Sequence, residues 1–342
     1  MTKKLSILIP TYNETEAMVK RLLDSIAIQQ RVNFDEIEVL VMHDGDENTF
    51  KDELFEGYPF DVNYYIGRHR GVSATRNELL ERAKGEYVQW CDADDFFHSA
   101  WAFFPVFREM KIGFDALVGN FLQETPLPNN PNDFVIMEMQ MNGMQFVHNK
   151  VYRKKFLIDN EICFCEQSNV HEDHVIMGLA KAYSQNIKYQ PMPTYTWGWN
   201  DNSVCRKDPL YLQKTTKWLL KNSAFMIEKL LKRGRNDIAR EVAFSMLMDI
   251  YYSLNAKLWL DTANKEFRDE CEGYFKHYYN HYNQYAQQLT EDKKNQIIAG
   301  QKMMHTQQGV LLESVTFETW LSHIEKEVEP IDFGIEQLFD KA

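Results

Sequence analysis

The segment from Tyr87 to Asp95 constrains the fold of this chain more than any other. Its first residues are mostly apolar or aromatic, and they run without polar alternation into Asp92-Ala93-Asp94-Asp95. Such a run predicts a strand that is covered on both faces, as in the sheets of α/β proteins. Ligands of open α/β sheets bind beyond the carboxyl ends of the strands. The segment therefore predicts a buried strand that delivers carboxylates to a binding site.

Two carboxylates one residue apart, Asp92 and Asp94, suit a hard divalent cation. Such a cation prefers oxygen ligands and keeps open positions that the phosphates of a nucleotide can fill. The simpler alternative is a polar turn that caps the next helix. The pattern is too short to decide between the two by itself, and the surrounding sequence must decide.

The flanking sequence predicts a nucleotide-binding α/β arrangement in the order β-α-β-β-α-β. Apolar runs predict strands over residues 5–9, 37–42 and 62–66, and helical spacing predicts helices that start near residues 14, 73 and 99. Three prolines predict a loop over residues 124–133, before a strand over 134–139. From Pro209 onward the pattern is helical, with Asp208 as a cap. We therefore divide the chain into residues 1–207 and an all-helical C-terminal region, residues 208–342.

Composition narrows the class of protein. The formal net charge of −12 disfavours generic binding to nucleic acids or anionic membranes. The five cysteines do not form a disulfide framework, and we interpret them as thiols of a reducing compartment. No apolar run has the length of a transmembrane segment, and the first apolar run is too short for a signal peptide. We expect a soluble, cytoplasmic protein.

Four segments, in this order and spacing, resemble the family 2 glycosyltransferases of the GT-A fold. They are residues 7–14 (ILIPTYNE), 44–45 (DG), 71–77 (GVSATRN) and 92–95 (DADD). Residues 149–154 (NKVYRK), Glu172-Asp173 and residues 195–203 look like three further segments of that family. Gly198 and Trp199 depart from it, because tyrosine and arginine are expected there, and His148 stands where tryptophan is more usual. The resemblance covers roughly the first 205 residues and is specific as a set.

The resemblance implies a GT-A domain, a Rossmann-like mixed sheet flanked by helices, that transfers a sugar with inversion. It implies a nucleotide-sugar donor, for which we expect a UDP-sugar, and Mn²⁺ or Mg²⁺ as cofactor. It assigns Asp173 as the catalytic base and Asp94 as the first choice of metal ligand. It places Asp95, Glu172, His171 and His174 toward the acceptor. The residues expected to bind the nucleotide sugar are Pro10, Thr11, Tyr12, Glu14, Asp44, Arg76, Asp92 and Ala93.

Alternatives remain open at this point. His171 and His174 could chelate a transition metal, although a structural role is simpler. The same half-fold serves sugar-phosphate nucleotidyltransferases, and a non-catalytic protein that binds nucleotide sugars or glycans could also be built on it. The nucleotidyltransferases open with a glycine-rich loop, and residues 10–13 contain no glycine.

The acceptor is not identified by the sequence. It could be a glycan, a glycopolymer or another hydroxyl-bearing molecule. Basic residues crowd the start of the helical region, where they form either a solvated helix face or a contact surface for an anionic acceptor. Such an acceptor could be a phosphate-containing polymer, a membrane surface or DNA. The basic residues are Lys214, Lys217, Lys221, Lys229, Lys232, Arg233, Arg235 and Arg240.

Overall fold

The computed structural model describes residues 2–47, 49–139, 146–201, 208, 210–312 and 315–338. The chain divides into two compact units. The first comprises residues 1–169 and 176–203, and the second comprises residues 170–175 and 204–342. The boundary predicted at residue 207 lies outside the described residues, as does Pro209.

A mixed β-sheet forms the centre of the first unit, in agreement with the predicted α/β fold. Its strands run in the spatial order β3-β2-β1-β4-β8-β6-β9-β5, with β7 paired to β6. Strands β1 to β4 are parallel, and β4 pairs with β8 antiparallel. The strands are β1 (Leu5–Thr11), β2 (Ile37–His43), β3 (Asp61–Ile66), β4 (Tyr87–Trp90), β5 (Phe96–Phe97), β6 (Ala116–Leu127), β7 (Asn130–Met139), β8 (Lys150–Arg153) and β9 (Ile187–Trp197).

Every residue of β1, β2 and β4 is buried, as expected from their mostly apolar sequences, and this includes the polar residues Ser6, Glu38 and Gln89. Strand β1 was expected to stop at Pro10, but it continues through Pro10 to Thr11. The main-chain oxygen of Leu8 accepts a hydrogen bond from Cys91 N–H, so the backbone polar groups of Leu8 face β4. Strand residues two apart face the same way, so the nitrogen of Pro10 faces that side too. The ladder with β4 ends at the pair of Leu8 and Trp90, so the missing N–H of Pro10 breaks no strand pairing.

The loop predicted over residues 124–133 is a β-hairpin instead. Strand β6 extends to Leu127 and pairs with β7 antiparallel, with Pro126 opposite Phe134. The pairing of β6 with β9 ends at Gln123, so the proline-bearing part of β6 has a strand on one side only among the described residues. Proline is tolerated at such edges, which explains why the prolines did not interrupt the strand.

The helices around the sheet are α1 (Glu16–Ala27), α2 (Val72–Arg82), α3 (Phe103–Ile112), α4 (Lys154–Asp159) and α5 (Asp173–Tyr183). Helix α1 begins at a Thr15 cap, whose hydroxyl accepts from Met18 N–H at 3.3 Å. It buries four apolar residues that recur at helical spacing, namely Val19, Leu22, Leu23 and Ile26. The first three residues of α5 fall in the second unit and the rest in the first.

The second unit is helical, as predicted. Its helices are α6 (Tyr211–Lys214), α7 (Thr216–Lys232), α8 (Asn236–Leu254), α9 (Lys257–Thr262), α10 (Lys265–Ala286), α11 (Glu291–Gln307) and α12 (Phe317–Glu327). Within the described ranges, none of the helices combines the length and apolarity that crossing a bilayer requires. The cysteines in these ranges, Cys91, Cys163, Cys165 and Cys271, form no disulfide with one another, and Cys205 lies outside them.

Candidate functional site

The site begins where β1 and β2 end side by side. The N–H of Asp44 donates to Thr11 O at 2.7 Å, which ties the two strand ends together. Thr11 itself is buried, and its hydroxyl lies 3.3 Å from Met42 O. Tyr12 is 49% exposed, and its ring stacks on His69 with centroids 4.6 Å apart and planes 18° apart. This exposed aromatic pair is a flat surface on which a planar ring, such as a nucleobase, can stack.

Asp44, the residue expected to bind the base, is bonded to the loop before α2. Its carboxylate accepts from Arg70 N–H at 2.8 Å and from Gly71 N–H at 2.9 Å, and His69 Nδ1 lies 3.2 Å away. Only 4% of Asp44 is exposed. Gly71 has a φ of 91°, and a Cβ there would collide with the side chain of Asn169. Asp44 therefore fixes this loop in addition to any contact that it makes with a ligand.

Helix α2 links this corner of the site to the end of β4. Arg76 lies on α2, is buried, and donates from Nη2 to Asp92 Oδ1 at 2.8 Å. Its guanidinium carbon also lies 5.3 Å from the centroid of the Phe164 ring. The sequence placed Arg76 at a helix turn that faces phosphates, whereas the structure pairs its charge with Asp92. Asp92 is thus bonded to α2, and Asp44 is bonded to the loop before α2. The two carboxylates predicted to bind the donor therefore lie at one edge of the sheet.

Asp94 presents its carboxylate at the end of β4 and is half-buried. Its Oδ2 accepts from Asn200 Nδ2 at 2.8 Å, and its main-chain oxygen accepts from Arg21 Nη2. Ala93, between the two carboxylates, is buried. The side chain of Asp94 is therefore accessible to a ligand while its backbone is held by α1.

Glu14 belongs electrostatically to the same group of carboxylates. Its Oε2 accepts from Tyr12 N–H at 2.6 Å, and the residue is half-buried. Burial raises the pKa of Glu14, and the negative charges of Asp94 and Asp92 raise it further. Pro10, which leads into this loop, is buried. A cation bound here would relieve the mutual repulsion of these carboxylates.

Asp95 lies in the core, with no part of it exposed. It accepts from Tyr195 Oη and from Gly198 N–H, each at 2.8 Å. Burial raises the pKa of Asp95 well above its usual range, and the charges of Asp94 and Asp92 act in the same direction. The hydroxyl of Tyr195 also accepts from Asp92 N–H at 3.1 Å. Asp95 therefore joins β9 to the end of β4, a role that the sequence pattern did not reveal.

A second set of potential metal ligands stands beside Asp94. One ligand atom from each of Asp92, Asp95 and His148 lies within 4.8 Å of the others. The two carboxylates are ligands that suit Mn²⁺, and the imidazole is a ligand more typical of Zn²⁺ or Fe²⁺. His148 is buried and its ring stacks on Tyr195, with centroids 5.4 Å apart. The donor set at the end of β4 therefore fits a divalent cation, with Asp92 common to the predicted pair and to this group.

Apart from Asp95, the residues predicted for the acceptor side lie, with the predicted base Asp173, in residues 170–175, which belong to the second unit. Asp173 is the first residue of α5, and Glu172 precedes it. His171 has a φ of 58°, and its Nε2 lies 2.7 Å from Thr215 Oγ1. Burial, together with the smaller effect of neighbouring His174, lowers the pKa of His171 to about 3. His171 and His174 lie with ring centroids 5.8 Å apart, and among the described residues they belong to no cluster of three metal-ligating side chains.

The basic residues at the start of the second unit are packed against aromatic rings. Lys217 Nζ lies 5.9 Å from the Trp218 centroid and 5.5 Å from that of Tyr274. Lys221 Nζ lies 5.3 Å from the Trp218 centroid. Lys214 forms an ion pair with Asp208.

Comparisons with known proteins agree with this geometry. Residues 6–158 match the family model "Glycosyl transferase family 2". The chain is 22% identical over 226 residues to EpsH of Bacillus subtilis (strain 168), a match that covers 60% of this chain and 64% of EpsH. It is 27% identical over 192 residues to the poly(ribitol-phosphate) beta-N-acetylglucosaminyltransferase TarS of Staphylococcus aureus (strain Mu50), covering 53% of this chain and 32% of TarS. The chain thus spans less than two thirds of either relative.

Solved structures give the same fold. The crystal structure of S. aureus TarS residues 1–349 in complex with UDP-GlcNAc superposes with a TM-score of 0.58 at 17% identity, covering 91% of this chain and 93% of that one. The complex of the same fragment with UDP gives a TM-score of 0.57 over 92% of this chain and 94% of that one. At 17% identity, the similarity to these structures shows the fold alone.

Proposed function

Residues 6–158 match the family model of glycosyl transferase family 2, and from that premise we propose that this chain is an inverting glycosyltransferase that uses a nucleotide-diphosphate sugar. The observation that carries the proposal is the convergence at one sheet edge. Helix α2 and its preceding loop bind Asp44 on one side and Asp92 on the other. The exposed Tyr12 ring stacks on the ring of His69, which belongs to this loop. Together these groups offer a stacking surface for the base and carboxylates for a phosphate-bound metal.

The proposed reaction is a single displacement. The acceptor hydroxyl attacks the anomeric carbon, its proton passes to Asp173, and the bond between that carbon and the diphosphate oxygen breaks with its electron pair on the diphosphate. Asp44 and Tyr12 hold the base, and Glu14 orders the loop at Tyr12. Asp92 and Asp94, or Asp92 with Asp95 and His148, would hold Mn²⁺ or Mg²⁺, which supplies positive charge to the leaving diphosphate. Glu172, His171 and His174 are proposed to surround the base.

We propose a UDP-sugar as donor and a glycopolymer as acceptor. The support is the similarity to TarS, a poly(ribitol-phosphate) beta-N-acetylglucosaminyltransferase of which a fragment was crystallised with UDP-GlcNAc. The basic residues on α7 are chemically suited to a phosphate-containing polymer. A cytoplasmic location stays a prediction.

Two alternatives follow from the same fold class. A sugar-phosphate nucleotidyltransferase would need a loop whose backbone surrounds a triphosphate, whereas residues 10–13 contain no glycine and Pro10 belongs to β1. A non-catalytic binding protein would bind nucleotide sugar without consuming it.

A thermal-shift series with UDP, GDP, CMP and ATP, each with and without Mn²⁺, tests the binding step. We expect UDP with Mn²⁺ to raise the Tm more than either alone. If ATP is the one nucleotide that raises the Tm, the nucleotidyltransferase is favoured. If none of the nucleotides raises the Tm, the proposed function is contradicted.

A further inference from the structure

We propose that Arg21 is a further diphosphate-binding residue, whose guanidinium stabilises the charge that collects on the leaving nucleoside diphosphate. The proposal rests on the glycosyl-transfer function proposed above. It assigns a role in the donor site to helix α1, which carries none of the family's motifs identified in the sequence.

The position of Arg21 is fixed by two contacts with the segment that follows β4. Its Nη2 donates to the main-chain oxygen of Asp94. Its guanidinium carbon lies 4.6 Å from the centroid of the Phe96 ring. The apolar face of α1 is buried, while Arg21 itself is exposed. A solvent-exposed positive charge is therefore held at the main chain of Asp94, the residue whose carboxylate is predicted to bind the metal.

Gly198 makes room for this guanidinium. A Cβ on Gly198 would lie 2.8 Å from Arg21 Nη2 and 2.5 Å from Asp94 O. The backbone cannot retreat without loss, because Gly198 N–H donates to buried Asp95 at 2.8 Å. No side chain at position 198 fits here, so the cation beside Asp94 comes from α1 instead of from the segment after β9.

The charges around Arg21 leave it available for an anion. Within the described residues Arg21 forms no ion pair with a carboxylate, whereas Arg76 is buried and paired with Asp92. The bond to Asp94 O uses one N–H of a planar group that carries five. A guanidinium presents these donors in a fork that matches two phosphate oxygens, and it keeps its charge at every physiological pH.

A guanidinium in this position would act late in the reaction, when negative charge develops on the leaving diphosphate. As the bond between the anomeric carbon and the diphosphate oxygen breaks, its electron pair stays on the terminal phosphate, and the acceptor proton goes to the base. The diphosphate thus gains one negative charge. A guanidinium that contacts the terminal phosphate stabilises this product-like charge more than the charge of the intact donor.

The test compares UDP with UMP, which lacks the terminal phosphate. Calorimetric titration of the full chain in Mn²⁺ should show that Arg21→Ala weakens UDP binding by about 10- to 100-fold, the usual range for a charged hydrogen bond. The affinity of Arg21→Ala for UMP should differ from that of wild type by no more than about 3-fold. Arg21→Lys should fall between wild type and Arg21→Ala, because it keeps the charge and loses the fork. Arg31→Ala is the matched control, since Arg31 is also exposed and lies over an aromatic ring, 5.7 Å from the Trp101 centroid.

The outcomes separate the proposal from a merely structural role. If Arg21 only braces the Asp94 turn, Arg21→Ala will weaken UDP and UMP binding equally, and that result would overturn the proposal while the proposed function stands. Unchanged UDP binding in Arg21→Ala would overturn it as well. Wild-type protein that binds neither UDP nor GDP would overturn the proposed function and, with it, the role of Arg21.

Discussion

Removing the hydroxyl of Tyr195 should destabilise the first unit and loosen the end of β4. This hydroxyl donates to buried Asp95 at 2.8 Å and accepts from Asp92 N–H at 3.1 Å. Tyr195→Phe keeps the ring and its stacking on His148, so the change isolates the two hydrogen bonds. Afterwards Asp95 retains Gly198 N–H as its remaining donor among the contacts described above.

The size of the effect follows from the burial of Asp95. Leaving a buried donor or acceptor short of a partner costs about 1–3 kcal/mol, with charged groups at the upper end. A unit of roughly 200 residues loses about 2–4 °C of Tm for each kcal/mol. We therefore expect the Tm of Tyr195→Phe to fall by about 2–12 °C, with the larger values if Asp95 is ionised.

Differential scanning calorimetry measures this change, and Tyr278→Phe provides the comparison. Tyr278 is also fully buried, but its hydroxyl faces the neutral hydroxyl of Ser223 at 2.7 Å. The loss in Tyr278→Phe should be smaller, near 1 kcal/mol, because no carboxylate is involved. A Tm for Tyr195→Phe that equals wild type, or a loss no larger than that of Tyr278→Phe, would refute the reasoning about Asp95.

Three further predictions address the metal, the base and pH. Asp94→Ala should abolish the gain in UDP affinity that Mn²⁺ gives in calorimetric titration, and an unchanged gain would favour Asp92, Asp95 and His148 as the ligands. Asp173→Asn should lower turnover by about 100- to 10,000-fold while UDP binding is spared, and transfer within a few-fold of wild type would place the base elsewhere. The pKa of His171 is lowered to about 3 in the fold, so the contribution of His171 to stability should be fully present above about pH 6.5 and be lost as the pH falls toward 3. His171→Asn, which tolerates the positive φ, should lose this dependence in urea unfolding, and parallel pH profiles would contradict the assignment.

The sheet and its binding edge were predictable because mostly apolar runs without polar alternation indicate burial on both faces. The runs that became β1, β2 and β4 were identified in order, and the acidic segment does follow a buried strand. Proline misled the assignment twice, at Pro10 and in the β6–β7 hairpin. In both cases the effect of proline depends on which strand edge is paired, which only the assembled sheet reveals.

The individual roles of the site residues were harder to predict for a related reason. Asp92, Asp94 and Asp95 have the same side chain, yet one pairs with Arg76, one is accessible and one is fully buried. Their environments come from Arg76, Asn200 and Tyr195, which lie far from them in sequence. Asp44 likewise supports the loop before α2, so its replacement by alanine would disturb that loop as well as base binding.

The consumption of a nucleotide-sugar donor tests the central claim most directly. The full chain is incubated with a panel of UDP-, GDP- and CMP-sugars in Mn²⁺ or in EDTA, and mass spectrometry follows the release of the nucleotide. We predict that one donor, a UDP-sugar, is converted to UDP in Mn²⁺ and preserved in EDTA, with slow transfer to water in the absence of acceptor. A panel in which every donor remains intact, while an acceptor glycopolymer such as poly(ribitol phosphate) is present, would contradict the account.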